Sequence, residues 1–147
     1  SVYCQTRKIG NIKTETESCA SIILKAKKGL IANLNIDYLR PFYERSCHII
    51  GEKGSLRWEY NLTKSAWSTY TQKVNSKVTL QLLSKSSSTV FNNIVRVNDM
   101  YINEIRNFVE SITLNKKPLV DGFDGLNTLR LGVAALESAK KKKIISL

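Results

Sequence analysis

The sequence predicts an α+β fold: an open, mostly antiparallel sheet with two C-terminal helices packed on one face. Three observations carry the prediction. From Val2 to about Leu83 the chain runs in short segments that alternate apolar and polar residues. Turn residues separate these segments at the short spacing that antiparallel neighbours need. From Asp99 onward the apolar period lengthens to that of a helix. Strands first and helices last is the order of an α+β domain.

The elements follow in order. Val2 to Arg7 reads as a strand. Ser18 to Ala26 is a second, with Ala20, Ile22, Leu24 and Ala26 on one side, and Lys27-Lys28-Gly29 turns the chain. Leu30 to Tyr38 is the clearest strand: Leu30, Ala32, Leu34, Ile36 and Tyr38 share one face, and Asn33, Asn35 and Asp37 the other. Pro41 lacks an N–H and ends it. Ser46 to Ile50 and Ser55 to Tyr60 flank the turn Gly51-Glu52-Lys53-Gly54. Ala66 to Thr71 and Lys77 to Leu83 are weaker strands, and the serine-rich stretch Ser84 to Asn93 reads as an exposed loop or an irregular edge.

A first helix is expected over Asp99 to Leu114, with Tyr101, Ile105, Phe108 and Ile112 as its stripe, Asn98 or Asp99 as its cap, and Asn115 to Pro118 as its end. A second runs from about Asp124 to Lys141. Leu126, Leu129, Val133 and Leu136 are its expected buried stripe, and Gly132 and Ala135 are small enough to let it approach a sheet. Its lysine-rich end complements the helix dipole. Ile144 to Leu147 reads as a last short strand. The 42% apolar content suffices for one core, so residues 1–147 are expected to form a single domain.

The net charge of +11 raises the question of a nucleic-acid partner. The distribution argues against it. Only Lys140 to Lys143 form a run, the other lysines stand singly near strand ends, and no RNA-recognition aromatic motif or helix-turn-helix pattern is present. No run approaches the roughly 18 apolar residues of a membrane span. Cys4, Cys19 and Cys47 lie far apart and suit reduced thiols in a cytoplasmic protein, where the Asn61-Leu62-Thr63 sequon has no meaning. With His48 the sole histidine and no paired ligand spacing, no metal site is expected.

Chemistry is sparse. The chain has no G-x-G-x-x-G after a strand, no P-loop and no nucleophile elbow. Cys47 and His48 are strand neighbours and should point to opposite faces, while Glu44 and His48 should stand roughly 13 Å apart along an extended segment. No catalytic residue is therefore nominated. The densest polar-aromatic group is Tyr38, Arg40, Tyr43 and Arg45. Guanidinium forks bind carboxylates and phosphates, and aromatic rings stack on sugar faces. The group reads either as a hairpin tip whose long side chains lie over the sheet end, or as a substrate contact, in which case Arg40, Tyr38 and Arg45, with Asp37 next, are the expected contact residues.

Three segments carry a resemblance: HIIGEKGSLRW, MYINEIRNFVESI followed by Pro118, and DGLNTLRLGVAALESAKKKKIISL with its Glu137-Ser138-Ala139. Together they resemble the C-terminal domain of the Gfo/Idh/MocA oxidoreductases. The resemblance covers most of the chain and is strongest in the last third. One departure is Lys142, where the family often has a glycine.

The resemblance implies a parent NAD(P)-dependent sugar or sugar-nucleotide dehydrogenase. Its N-terminal Rossmann domain would hold NAD or NADP and supply the catalytic lysine; that domain is not in these 147 residues, and neither is the family's acid/histidine pair. The segment Glu52-Lys53-Gly54 is a turn and not the family's Glu-Lys-Pro motif. The chain alone is then expected to be inactive and to bind no cofactor. Its role would be to line part of the substrate pocket and to form a homo-oligomer through the sheet face. A start on Ser1, with Met100 the sole methionine, fits a piece of a longer protein. Two alternatives are a basic module for nucleic acid or another polyanion, and an assembly scaffold without a catalytic half.

Overall fold

The structure is a computed structural model that describes residues 1–11, 13–40, 43–62 and 73–147. The expected strand at 66–71, the break at Pro41 and Thr63 of the sequon lie outside the described residues. The chain divides into two compact units, Ser1–Arg40 with Lys117–Leu147, and Pro41–Lys116.

The first unit holds a three-stranded antiparallel sheet in the order β1 (Val2–Arg7), β2 (Cys19–Lys25), β3 (Ile31–Asp37). The register follows the sequence alternation. Val2, Leu24 and Ala32 are cross-strand neighbours, as are Cys4, Ile22 and Leu34. These apolar residues share one face. Gln5, Ser21 and Asn35 line up on the opposite, polar face, where Ser21 donates to Asn35 Oδ1 at 2.6 Å. Gly29 closes the β2–β3 turn with φ +83°, a conformation that favours glycine.

Helix α2 (Gly122–Lys141) packs on β1. The core of this unit is Val2 and Cys4 against Ala134 and Ala135, with Ile22, Leu24, Ala139 and Ile145 around them. This corrects the expected stripe. Leu126, Leu129, Val133 and Leu136 are exposed, and the buried row is Ala134, Ala135 and Ser138. At about 100° per residue the two rows stand roughly on opposite sides of the helix. The short side chains win the sheet-facing position because they let the helix backbone come close. Ser138 then completes the contact: the Cys4 N–H donates to its Oγ (3.0 Å), which donates to the Lys143 carbonyl (2.6 Å). Gly132 has open space at its Cβ position and lies outside the packed row.

The expected last strand reduces to a bridge. Val2 and Ile145 exchange both backbone hydrogen bonds, at 2.8 and 2.9 Å. With the Ser138 contact, that bridge occupies the outer edge of β1.

The second unit is a four-stranded antiparallel meander: β4 (Glu44–Gly51), β5 (Gly54–Leu62), β6 (Lys73–Leu82) and β7 (Ser88–Arg96). Helix α1 (Asp99–Thr113) follows it. The expected strands thus form two sheets of the α+β class. The two-residue turn Glu52-Lys53 joins β4 to β5, with Gly51 and Gly54 paired across it. Gly54 has φ +154°, and a Cβ there would collide with the Gln81 carbonyl.

The serine-rich stretch divides. Residues 84–87 connect two strands, and Ser88 onward is an edge strand whose register slips opposite Val78/Thr79. That slip is the irregular edge the composition suggested. Tyr60, Val74 and Ser76 are buried on one side of this sheet.

The α1 stripe has the expected period, but the helix buries none of its residues; Phe108 is 65% exposed. Asn98 precedes α1 without a side-chain capping bond, and Asp99 instead accepts from the Arg96 N–H at 3.2 Å. Asn115 ends the helix in the left-handed region, at φ 50°. In the described residues no helix is long and apolar enough to cross a membrane.

Candidate functional site

Of the four expected contact residues, the structure brings two together directly. Asp37 is the last residue of β3. Its Oδ1 accepts the backbone N–H of Leu39 and of Arg40, both at 3.1 Å, and its Oδ2 accepts Nε of Arg40 at 3.0 Å. Asp is suited to this place because its short carboxylate reaches the N–H groups two and three residues on. Partial burial pushes the Asp37 carboxyl up. The two N–H donors and the Arg40 guanidinium outweigh that and hold it below the usual carboxylate range.

Tyr38, between them, is 63% exposed at its side of the strand end, and its N–H donates to the Ser18 carbonyl at 3.0 Å. Ser18 is itself buried and exchanges hydrogen bonds with the backbone of Ile9. These bonds tie the loop after β1 to the end of β3. A depression of about 350 Å³ adjoins the site, with Arg7, Cys19, Ser21, Asn35 and Asp37 in its wall.

Arg45 belongs to the second unit, on β4. Its guanidinium carbon stands 5.1 Å from the centre of the Tyr43 ring, within cation–π range. Tyr43 meets Tyr60 edge-on at 6.2 Å, and Trp58 lies 5.7 Å from Tyr60. The Trp58 indole donates to Ser76 Oγ at 3.1 Å. Burial pushes the Tyr60 hydroxyl up, so it stays protonated.

Trp58, Tyr60 and Ser76 are the members of this cluster that the sequence reading missed. The alternation Leu56, Trp58, Tyr60 signalled a shared face. It could not signal that Arg45 would be the cross-strand neighbour of Tyr60.

The remaining candidates fall where strand geometry puts them. Cys47 pairs with Trp58 and His48 with Arg57, on opposite faces of β4. Cys4 is buried, Cys19 partly buried and Cys47 exposed, and all three are free thiols. Burial, helped by the charge of Glu17, pushes the Cys4 thiol up. Among the described residues no three His, Cys, Asp or Glu side chains gather where they could hold a metal ion.

Two antiparallel sheets, followed in the chain by two helices, define an α+β domain. The sequence matches the family described as "Oxidoreductase family, C-terminal alpha/beta domain" over residues 1–147, and the chain belongs to this Gfo/Idh/MocA family.

Solved structures share the fold. A chain from Desulfitobacterium hafniense, assigned as an NADPH-dependent oxidoreductase, matches 97% of this chain at 18% identity with a TM-score of 0.74. The aldose-aldose oxidoreductase of Caulobacter crescentus, solved with glycerol, matches 99% at 18% identity with a TM-score of 0.70. The protein yvaA of Bacillus subtilis, assigned as an oxidoreductase, matches 99% at 21% identity with a TM-score of 0.68. The chain spans only 40%, 40% and 45% of these chains, respectively. No curated protein sequence matches it.

Proposed function

We propose that this chain is the substrate-side and subunit-contact part of a nicotinamide-dependent sugar or sugar-nucleotide oxidoreductase. The observation that carries the reading is the family match over all of residues 1–147. Two facts about similar structures support it. One is assigned as NADPH-dependent and another is named for aldoses, and in all three the matched part is less than half of the chain.

The residues here do not fit a dinucleotide. Every described strand pair is antiparallel, and the strand-to-helix passage from β7 to α1 runs through Val97 and Asn98 without a glycine. In this reading the nicotinamide cofactor and the hydride step belong to the rest of a longer protein. In this reading Arg40, Tyr38 and Arg45, with Asp37, contact the substrate. The guanidinium groups offer planar donors to its polar groups, and the Tyr38 ring offers an apolar face. The sheet face makes contact with a second subunit. Three free thiols suit the cytoplasm.

Calorimetry of residues 1–147 with NADH and NADPH tests the division of labour. No micromolar binding is expected, and micromolar binding would overturn it. In the full-length protein, Arg40→Ala should raise KM for the sugar more than it changes cofactor affinity. An unchanged KM would remove Arg40 from the substrate site.

A further inference from the structure

We infer that the Tyr60 hydroxyl binds a hydroxyl group of a neutral sugar, beside Arg45. Tyr60 then becomes a substrate-contact residue of the second unit that the sequence pattern did not nominate. The inference rests on the proposed sugar substrate and deepens it.

The observation behind it is a polar atom without a partner on a buried side chain. Tyr60 is 8% exposed. Its hydroxyl makes no hydrogen bond among the described residues. No sealed side-chain oxygen or nitrogen of the described residues lacks a partner. The Tyr60 hydroxyl is therefore open to solvent while most of its ring is enclosed. Trp58, its neighbour on the same face of β5, is satisfied within the protein, because its indole N–H donates to Ser76 Oγ at 3.1 Å. Buried polar groups are as a rule paired, so an oriented hydroxyl left open is a group available to a ligand.

The ring that carries this hydroxyl is held from two sides. Tyr43 meets it edge-on at 6.2 Å and Trp58 lies 5.7 Å away. Arg45, the cross-strand neighbour of Tyr60, places its guanidinium 5.1 Å from the Tyr43 ring centre. A donor fixed in this way loses little further freedom when a ligand arrives.

Electrostatics select the ligand class. Burial first, and then Tyr43, push the Tyr60 hydroxyl up; Arg45 acts in the opposite sense, and Asp99 and Tyr101 add to the rise. The hydroxyl is therefore protonated near neutral pH, where it both donates and accepts. It also stands within the reach of both signs of charge. An anion would meet the Asp99 carboxylate and a cation the Arg45 guanidinium, whereas a neutral polyol meets neither repulsion. Its hydroxyl groups would find a donor in Arg45 and an acceptor in Asp99, whose carboxylate has capacity beyond the Arg96 N–H that it already accepts at 3.2 Å. Tyr101, in the first turn of α1, is 49% exposed and offers a ring to the apolar face of a pyranose.

The test is calorimetry on the full-length protein and its Tyr60→Phe variant, with glucose, xylose and UDP-glucose as probes. Phenylalanine keeps the ring and removes only the hydroxyl. Because that hydroxyl has no partner among the described residues, the melting temperature of the free variant should match that of the native protein. Its affinity for the sugar that binds should fall about five- to tenfold. Analogues of that sugar that lack one hydroxyl each supply a second readout. One of them should bind native protein and variant equally, since the hydroxyl that meets Tyr60 is then already missing. Unchanged affinity in Tyr60→Phe would overturn the Tyr60 contact and leave the sugar reading in place. A variant that melts several degrees lower and weakens every analogue alike would show a structural hydroxyl, with the same consequence. If no probe binds the native protein, both readings fall.

Discussion

Lys142 occupies the position just past α2 with φ 52° and ψ 37°, in the left-handed region. Its N–H donates to the Ser138 carbonyl, so the conformation is imposed by the helix ending. Glycine takes it without a Cβ clash, at the expense of a more flexible unfolded chain. Lys142→Gly is expected to stabilise the domain by about 0.5–1 kcal/mol, read as a higher urea midpoint at unchanged slope. Four residues earlier, Ser138 is fully buried and satisfies the Cys4 N–H and the Lys143 carbonyl. Ser138→Ala leaves both without that partner and should cost about 1–3 kcal/mol in the same measurement. The thiols give a kinetic check on burial. A disulfide reagent should modify Cys47 quickly in the native state and Cys4 only on unfolding, because Cys4 is enclosed and its thiol is pushed up.

At the scale of elements, α2 is held by charge at both ends. Asp121 and Asp124 form a reciprocal capping box, and Lys117 lies 2.9 Å from Asp121. Near the other end Lys141 pairs with Glu137. The Lys117 contact and the N–H groups of Asp124 and Phe123 hold the Asp121 carboxyl below its usual range, and Lys141 does the same for Glu137. With Asp37, three carboxyls thus have folded-state pKa values below their unfolded ones. Such groups contribute stability that is fully present above the unfolded values, about pH 4, and is lost as pH falls through the folded ones. The melting temperature should therefore be insensitive to these groups near neutrality and fall below about pH 4. Asp121→Asn should lower it near neutrality and flatten the acid limb. An acid limb of unchanged steepness would show that the cap does not titrate as described.

At the scale of the whole molecule, apolar surface is left uncovered. Leu129 on α2 and Phe108 on α1 are 64% and 65% exposed, and each belongs to a stripe with helical period. A helix with small residues on one face and leucines on the other has two surfaces to cover, and β1 takes only the first. A second copy of the chain, or the remainder of a longer protein, would take the second. Residues 1–147 alone should then bind a hydrophobic dye and self-associate in light scattering. The double substitution Leu129→Lys and Leu136→Lys should reduce both without unfolding the domain. A monomeric, dye-silent chain would show that these stripes need no partner.

The sequence by itself determined what depends on local physics. The alternation of Val2 to Arg7, Cys19 to Lys25 and Ile31 to Asp37 dictated three strands, because strand side chains change face at every residue. The Gly51 to Gly54 hairpin was legible for the same reason, and the end of α1 at Asn115 for its tolerance of the left-handed region. Lys142 was legible as a departure from the family's glycine.

What only the tertiary structure decided depends on partners distant in sequence. Periodicity shows that α2 has an apolar stripe. Which of two stripes meets the sheet is a matter of how close the backbones must come, and Ala134, Ala135 and Ser138 permit the closer approach. Ser88–Arg96 became a strand through pairing with β6, against its serine-rich start. Tyr43, Arg45, Trp58, Tyr60 and Ser76 span 34 positions of sequence yet form one cluster, because the register of three strands, absent from any local pattern, sets them side by side. The sequence named Asp37 and Arg40 as candidates; the turn that brings carboxylate to guanidinium decided that they form an ion pair.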